Sequence, residues 1–98
     1  MKTVITTVWD PVEYLQTDEE IIAYLCDVFA TNDSQLIIAA IGDVARAKGM
    51  SKIAEDVECG RESLYKSLSQ NGNPSFETII KVLLSLGYGL KPALVSSI

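Results

Sequence analysis

Apolar residues recur at helical spacing in two long stretches of the first half of the chain. The first covers residues 21–29, and Thr17 and Glu20 precede it at the spacing of a capping box, in which two side chains satisfy backbone groups at a helix start. The second covers residues 36–48 and is apolar on almost every face, which is typical of the central helix of a small bundle. Both stretches are predicted helices, and Gly49 ends the second.

Shorter amphipathic segments follow in the second half. Ser51 is predicted to cap a helix that ends at a break over residues 58–60, and another short helix runs from this break to about Ser69. Ser75 caps a last helix with apolar residues on one face, and Gly87 ends it. Together with the two long stretches, these segments predict an all-α fold, a bundle of about five short helices.

The two ends of the chain are organised differently. Residues 1–9 form a predicted N-terminal arm, and Asp10 and Pro11 open a short helix, because aspartate caps helices and proline suits the first helical position. The tail 88–98 contains glycine and proline, which exclude a central strand and leave an edge strand or an extended arm. We therefore predict one domain, residues 10–98, with an extended arm at each end.

Composition narrows the class of protein. The chain has 98 residues, of which 48% are apolar and 21% are charged, so it is expected to fold around a core and not to be a disordered tail. Its apolar runs are too short to cross a bilayer, and residues 1–9 lack the continuous apolar core of a secretory signal. We therefore expect a cytoplasmic protein without a membrane partner.

The side chains that usually carry catalysis or hold metals are scarce. The sequence has no histidine, and its two cysteines, Cys26 and Cys59, are far apart and form no CxxC pair. We therefore expect no metal site, no cofactor, and reduced cysteines that pack as small apolar side chains. Ser63 and Ser69 each lie three residues from Lys66, but such pairs are common on helix surfaces. No base–nucleophile arrangement accompanies them, so we predict no catalytic residues and no enzyme.

Charge is distributed unevenly along the chain. The formal net charge is −5, with eight acids and one base in residues 1–43 and five acids and seven bases in residues 44–98. Five of the eight bases fall between Arg46 and Lys66. Because phosphate attraction is screened over about 10 Å, this local basic stretch leaves nucleic-acid binding open in an acidic protein. A surface that is uneven by chance is the alternative.

The segment 50–69 has the pattern of a helix-turn-helix unit. Ala54 is small enough for a close crossing of the two short helices, and Cys59 fills the angle between them. The second helix then places five side chains on one outward stripe that can reach DNA bases: Arg61, Glu62, Tyr65, Lys66 and Ser69. Further polar side chains near the unit can contact phosphates: Arg46, Lys48, Lys52 and Asn73.

Glu58 departs from this pattern, because glycine usually occupies its position in the turn. A glutamate there adopts a positive φ or the turn differs, and Gly60 close by is available to absorb the strain. A helical hairpin whose Arg61 and Lys66 are merely solvated therefore stays open as the alternative to a DNA-reading unit.

Several short pieces of sequence occur together in an order that is specific only in combination. They are DPVEYL at 10–15, ARAKGM at 45–50, RESLYKSLS at 61–69, GNPSF at 72–76 and LG at 86–87. Through these pieces the chain resembles members of the addiction-module antidote family. These proteins are HigA-like antitoxins of the lambda-repressor-like (XRE) helix-turn-helix class. The family's Gly-Leu-Ser turn is replaced here by Glu-Cys-Gly at 58–60.

This resemblance implies a lambda-repressor-like bundle and a role in a toxin–antitoxin system. Members of the family resemble repressors that bind operator DNA of their own operon, and they neutralise a small basic RelE/HigB-like ribonuclease toxin. The acidic residues 1–43 independently suit a basic partner. A homodimer is expected, because a single unit makes few phosphate contacts, and the last helix and the tail 88–95 are candidate dimer surfaces. The alternatives are a toxin-binding module that no longer reads DNA and a free-standing regulator without a toxin.

Overall fold

The computed structural model describes residues 16–69 and 71–95, and all regular structure in this part of the chain is helical. Five helices follow one another: α1 (Asp18–Phe29), α2 (Ser34–Lys48), α3 (Met50–Val57), α4 (Arg61–Ser67) and α5 (Phe76–Leu86). The predicted all-α bundle is confirmed. None of these helices combines the length and the apolar character needed to cross a membrane. The predicted arm at 1–9 and the helix opened by Asp10 and Pro11 lie outside the described residues.

Capping side chains start three of the helices, and the caps of α1 and α5 are those that the sequence predicts. The Thr17 hydroxyl accepts a hydrogen bond from the Glu20 N–H at 3.1 Å, and the Glu20 carboxylate accepts one from the Thr17 N–H at 3.1 Å, which completes the capping box of α1. Asp33 caps α2 and Ser75 caps α5 through their side-chain oxygens. Each cap satisfies N–H groups that the first helical turn leaves without a partner.

The start of α3 differs from the prediction. Its N-cap residue is Gly49, which has a φ of 115° and makes no side-chain hydrogen bond, and the helix begins at Met50. Ser51 therefore lies inside the first turn and does not cap the helix. Gly49 both ends α2 and precedes α3, and its positive φ, which glycine adopts without steric cost, lets the chain change direction at a single residue.

Helix α2 is the centre of the bundle. It packs against α1, α3 and α5, and its Ile41, Val44 and Ala45 are fully buried. The most extensive contact between two of the described helices is that of α3 with α5. The buried apolar side chains form one cluster, and among the described residues no polar or charged side chain is buried. Packing on several sides thus accounts for the apolar residues in the second half of α2, whereas Leu36 near its start is 51% exposed.

Gly42 lets α4 approach this central helix closely. A Cβ atom at Gly42 would overlap the backbone carbonyl oxygen of Leu68, the residue that follows α4. Leu64 and Leu68 are both fully buried and fasten the inner side of α4 to the core. The distance between the two helices thus depends on the missing side chain at Gly42.

The tail after α5 is extended and irregular. Helix α5 ends at Gly87 in the left-handed conformation, and Tyr88 packs against the core. The Tyr88 hydroxyl donates a hydrogen bond to Asp18 Oδ1 at 2.7 Å. Residues 88–95 contain no strand, so the edge-strand alternative is wrong for this part of the tail. A largely apolar groove of about 620 Å³ runs between α1 and the tail.

We expect Gly42→Ala to destabilise the fold by about 1–3 kcal/mol, because the added methyl group collides with a backbone carbonyl that has no rotamer to escape into. Urea unfolding followed by circular dichroism measures this free energy. Gly89→Ala is the matched control, since no atom lies within 4 Å of a Cβ built there. If both variants were equally stable, the close approach of α4 to α2 would be absent in solution.

Candidate nucleic-acid interface

Helix α4 presents one charged face to solvent. Its inner side is fixed by the buried Leu64 and Leu68, so the opposite side must face outward. Four of the five side chains predicted to read bases are exposed on this helix: Arg61, Glu62, Tyr65 and Lys66. They occupy positions i, i+1, i+4 and i+5, which form one stripe along a helix.

Ser69 is placed differently from these four. The helix ends at Ser67, two residues earlier than predicted, and Ser69 follows it in a half-buried position. Its hydroxyl donates a hydrogen bond to the Lys66 carbonyl oxygen at 2.7 Å. Of the five side chains, Ser69 is thus the one whose hydroxyl is already engaged with the backbone.

Arg61 and Lys66 form no ion pair with any acidic residue of the described part of the chain, whereas the three bases that flank α4 all do. The Arg46 guanidinium lies 2.6 Å from Asp43, the Lys48 ammonium 3.5 Å from Asp18, and the Lys52 ammonium 3.7 Å from Asp56. The exposed fractions of the three basic side chains are 28%, 39% and 76%, respectively. Of these three basic side chains, Lys52 is therefore the most accessible and Arg46 the least.

Arg46 stands where three helices meet. Its Nη2 atom donates to Asp43 Oδ1, while Asp43 Oδ2 accepts a hydrogen bond at 3.0 Å from the Tyr24 hydroxyl of α1. The Arg46 guanidinium carbon lies 5.3 Å from the centroid of the Tyr65 ring, which is cation–π distance. The contacts thus link α1 through α2 to the exposed face of α4.

Lys48 belongs to a second polar cluster, at the start of α1. Asp18 accepts the hydrogen bond from Tyr88 and lies beside the Lys48 ammonium. The pKa of Asp18 is below its usual value, first because of the Tyr88 hydrogen bond and second because of the Lys48 charge. Burial raises the pKa of Tyr88 to about 12, and the hydrogen bond to Asp18 adds to the shift.

The other two predicted phosphate contacts lie on the surface. Asp56, which pairs with Lys52, also accepts a hydrogen bond from the Ser85 hydroxyl at 2.7 Å, so this pair joins α3 to α5. Asn73 is exposed in the loop between α4 and α5. Its amide makes no hydrogen bond to another described residue and is available to a ligand.

The turn between α3 and α4 closes with a glutamate in the left-handed conformation. Glu58 has a φ of 61° and a ψ of 49°. Its N–H donates to the Glu55 carbonyl, and the N–H of Cys59 donates to the Ala54 carbonyl, the pattern of a Schellman motif. Cys59 packs against the core as predicted. Gly60 has an ordinary φ of −66°, so the expectation that it absorbs the strain is wrong and Glu58 carries the strain itself.

Side chains suited to metal binding or catalysis are dispersed. No three His, Cys, Asp or Glu residues of segments 16–69 and 71–95 are grouped so that they could hold a metal ion. Cys26 lies exposed on α1, so the prediction that it packs as a small apolar side chain is wrong, whereas Cys59 is half-buried. The α4 face carries three exposed charged side chains, Arg61, Glu62 and Lys66.

Sequence reasoning did not include Asp43 and Tyr24 among the residues that shape this face. Asp43 precedes Arg46 by three residues, a spacing at which side chains on a helix meet. The ion pair between them could therefore be predicted from the sequence. Tyr24 is 19 residues away from Asp43, and no local pattern indicates their contact.

Comparison with known proteins defines the family of this chain. A family model described as "Probable addiction module antidote protein" matches residues 5–94. The chain belongs to this addiction-module antidote family. It is 46% identical over 78 residues to an uncharacterised protein of Haemophilus influenzae, an alignment that covers 80% of each chain. No solved structure matches it significantly.

For this antidote-family chain, we expect Glu58→Gly to increase the free energy of unfolding by about 0.5–1 kcal/mol, because glycine removes the steric cost of the left-handed conformation but adds some backbone entropy to the unfolded state. Urea unfolding is the measurement. Glu58→Gln, which removes the charge and keeps the strain, is the control and should leave stability nearly unchanged. A gain of equal size in both variants would assign the effect to charge instead of backbone strain.

The Tyr88–Asp18 contact predicts how stability depends on pH. Because the pKa of Tyr88 is raised from 10.0 to about 12, the unfolded chain ionises first, so the contribution of this hydroxyl is complete below pH 10 and is lost between pH 10 and about 12. The lowered pKa of Asp18 gives a contribution that is present at neutral pH and is lost as the solution becomes acidic enough to protonate the folded carboxyl.

We therefore expect the stability difference between wild type and Tyr88→Phe to be largest near neutral pH and to shrink toward both pH 12 and strongly acidic pH. Urea unfolding at a series of pH values measures it. Tyr65→Phe is the control, because the Tyr65 hydroxyl makes no hydrogen bond within the described residues. A difference that stays constant with pH would contradict the proposed contact.

Proposed function

We propose that this chain is a HigA-like, XRE-type antitoxin that binds operator DNA, represses its own toxin–antitoxin operon, and neutralises a RelE/HigB-like ribonuclease toxin. Membership of the addiction-module antidote family supports the antitoxin role. The observation that carries the DNA-binding half is the exposed stripe on α4, where Arg61 and Lys66 have no acidic partner among residues 16–69 and 71–95.

The short pair α3 and α4 has the features of a helix-turn-helix reader. Two buried leucines hold α4 against the core, and a turn of three residues sets its angle to α3. A helix held in this way can enter a major groove without large side-chain rearrangement. On its outer face Arg61 and Lys66 suit guanine edges, Glu62 suits the amino group of cytosine, and Tyr65 suits a thymine methyl or a phosphate.

A homodimer follows from the small number of phosphate contacts in one subunit, and α5 offers a surface for it. Phe76 and Leu84 are 70% and 63% exposed although both are large and apolar. They lie eight residues apart with Ile80 between them, so they form one apolar stripe on the outer side of α5. In the tail, Leu94 and Val95 are also exposed and apolar. Such apolar surface on a small protein favours a protein interface.

The N-terminal half of the described chain supports a basic protein partner. Residues 16–43 contain six acidic side chains and no lysine or arginine. The groove of about 620 Å³ between α1 and the tail is lined by apolar side chains, Ile22 and Phe29 among them. An acidic surface beside an apolar groove suits a positively charged protein, in which charge guides the encounter and apolar contacts stabilise the complex.

A second candidate function is a toxin-binding module that does not read DNA. Two observations favour it: Glu58 places a negative charge and backbone strain in the turn before α4, and all three flanking bases are already paired with acids. This alternative predicts toxin binding without selective, salt-dependent DNA binding.

The test is fluorescence anisotropy of the full chain on DNA from immediately upstream of its own gene, with scrambled DNA as control, over a range of salt concentrations. A dimer that neutralises about six to eight phosphates should show selective binding with a slope of about −5 to −7 in log affinity against log salt. Sedimentation equilibrium of the same samples should give a dimer on DNA. Equal and weak affinity for both DNAs would favour the toxin-binding module.

Two variants separate base contacts from phosphate contacts in this assay. Arg61→Ala should weaken binding to the upstream DNA by about 1–3 kcal/mol and relax the preference at one base position. Lys52→Ala should weaken binding to both DNAs equally and make the salt slope shallower by about two, because the dimer loses one phosphate contact in each subunit. The reverse pattern, a selective loss for Lys52→Ala and a uniform loss for Arg61→Ala, would contradict the proposed roles.

A further inference from the structure

Arg46 has two possible roles in a DNA complex, and its contacts distinguish them. As a flanking base it could neutralise a phosphate, which is the role that the sequence suggests. Its side chain, however, is only 28% exposed, compared with 76% for Lys52. Its Nη2 atom donates to the Asp43 carboxylate at 2.6 Å, so its charge is already compensated inside the protein. A phosphate would have to compete with this short, charge-assisted hydrogen bond.

One edge of the guanidinium plane bonds Asp43, and the plane itself lies over the Tyr65 ring. The distance of 5.3 Å from the guanidinium carbon to the ring centroid places the cation over the ring. A planar guanidinium that is fixed at one edge by a carboxylate is a rigid support for an aromatic ring. Tyr65 remains 44% exposed, so the ring is supported on one side while its free edge and its hydroxyl stay available to DNA.

Asp43 is itself held in place. Its second carboxylate oxygen accepts the hydrogen bond of the Tyr24 hydroxyl at 3.0 Å, and the Asp43 side chain is 21% exposed. With one oxygen on Tyr24 and the other on Arg46, the carboxylate has little rotational freedom. The position of the Tyr65 ring is thus determined through Arg46 and Asp43 by a residue on α1, a helix outside the α3–α4 pair.

We propose that Arg46 is a positioning residue for DNA recognition, which holds the Tyr65 ring in its base-reading orientation and does not neutralise a phosphate. The proposal rests on the proposed function, because it requires that the α4 face reads DNA. An ordered Tyr65 side chain loses less conformational freedom on binding, so the benefit falls on the sequences that Tyr65 recognises. Arg46 therefore contributes to selectivity, whereas Lys52 contributes to general affinity.

The experiment is a double-mutant cycle in the anisotropy assay, with the upstream DNA and the scrambled DNA. Arg46→Gln should weaken binding to the upstream DNA about threefold to tenfold, leave the scrambled DNA within about twofold, and leave the salt slope unchanged. In a Tyr65→Ala background, Arg46→Gln should have no further effect, because the ring on which it acts is missing. Lys52→Gln is the matched control and should weaken both DNAs equally and additively with Tyr65→Ala.

Arg46→Lys separates the two roles by a conservative change. Lysine keeps the charge but lacks the planar fork that bonds Asp43 and covers the ring at the same time. A positioning role predicts that Arg46→Lys loses selectivity nearly as Arg46→Gln does, and a phosphate role predicts that Arg46→Lys restores wild-type binding. A uniform loss for Arg46→Gln, a flatter salt slope, or rescue by lysine would overturn the proposal.

NMR of the free protein tests the contact without DNA. The Cδ protons of Arg46 should be shifted upfield by the Tyr65 ring current, and the shift should disappear in Tyr65→Leu while the thermal midpoint stays close to wild type. An unshifted Arg46 in wild type would overturn the proposal independently of any DNA measurement. If wild type shows the shift but no selective DNA binding, the proposed function fails together with the recognition role of Arg46. If wild type binds selectively and Arg46→Gln behaves as Lys52→Gln does, only the positioning role fails.

Discussion

The absence of a side chain at position 42, a glycine, is the constraint on which the rest of the structure depends. It allows the backbone at the end of α4 to lie directly against the central helix α2. This contact brings Leu64 and Leu68 into the core and thereby turns the opposite side of α4 toward solvent. The charged stripe is therefore a consequence of packing. Helix α4 exposes Arg61 and Lys66 because Leu64 and Leu68, on its opposite side, are buried in the core.

Local chemistry explains why the helix starts and ends were largely predictable. A cap such as Thr17 with Glu20, or Asp33 at the start of α2, acts over two or three residues, and the sequence contains the whole interaction. The start of α3 was not predictable in this way, since Gly49 and Ser51 are both acceptable before a helix. Gly49 is the residue before α3 because a single glycine with positive φ both ends α2 and precedes the next helix.

The electrostatic partners of the candidate site were much less predictable. The sequence indicates which bases surround α4, but it does not show that Lys48 reaches Asp18 on another helix or that Tyr24 fixes Asp43. Such contacts depend on how the helices pack. The basic character of the segment 46–66 is accordingly lower in the folded protein than the sequence suggests, and among the described residues its unpaired positive charge lies on α4, at Arg61 and Lys66. The attraction of such a face for DNA depends more on where the unpaired basic side chains lie than on the net charge of the protein.

The hydrogen bond between Tyr88 and Asp18 spans 70 residues and joins the first described helix to the segment after the last one. A contact of such long sequence separation joins the two ends of the described helical bundle. The loop that it closes contains most of the domain, so its formation carries a large loop-closure entropy and requires residue 88. During synthesis, α1 must therefore wait for the tail to leave the ribosome before its acidic first turn has its final partner. The bond thus distinguishes the folded domain from any version of the chain that ends before Tyr88.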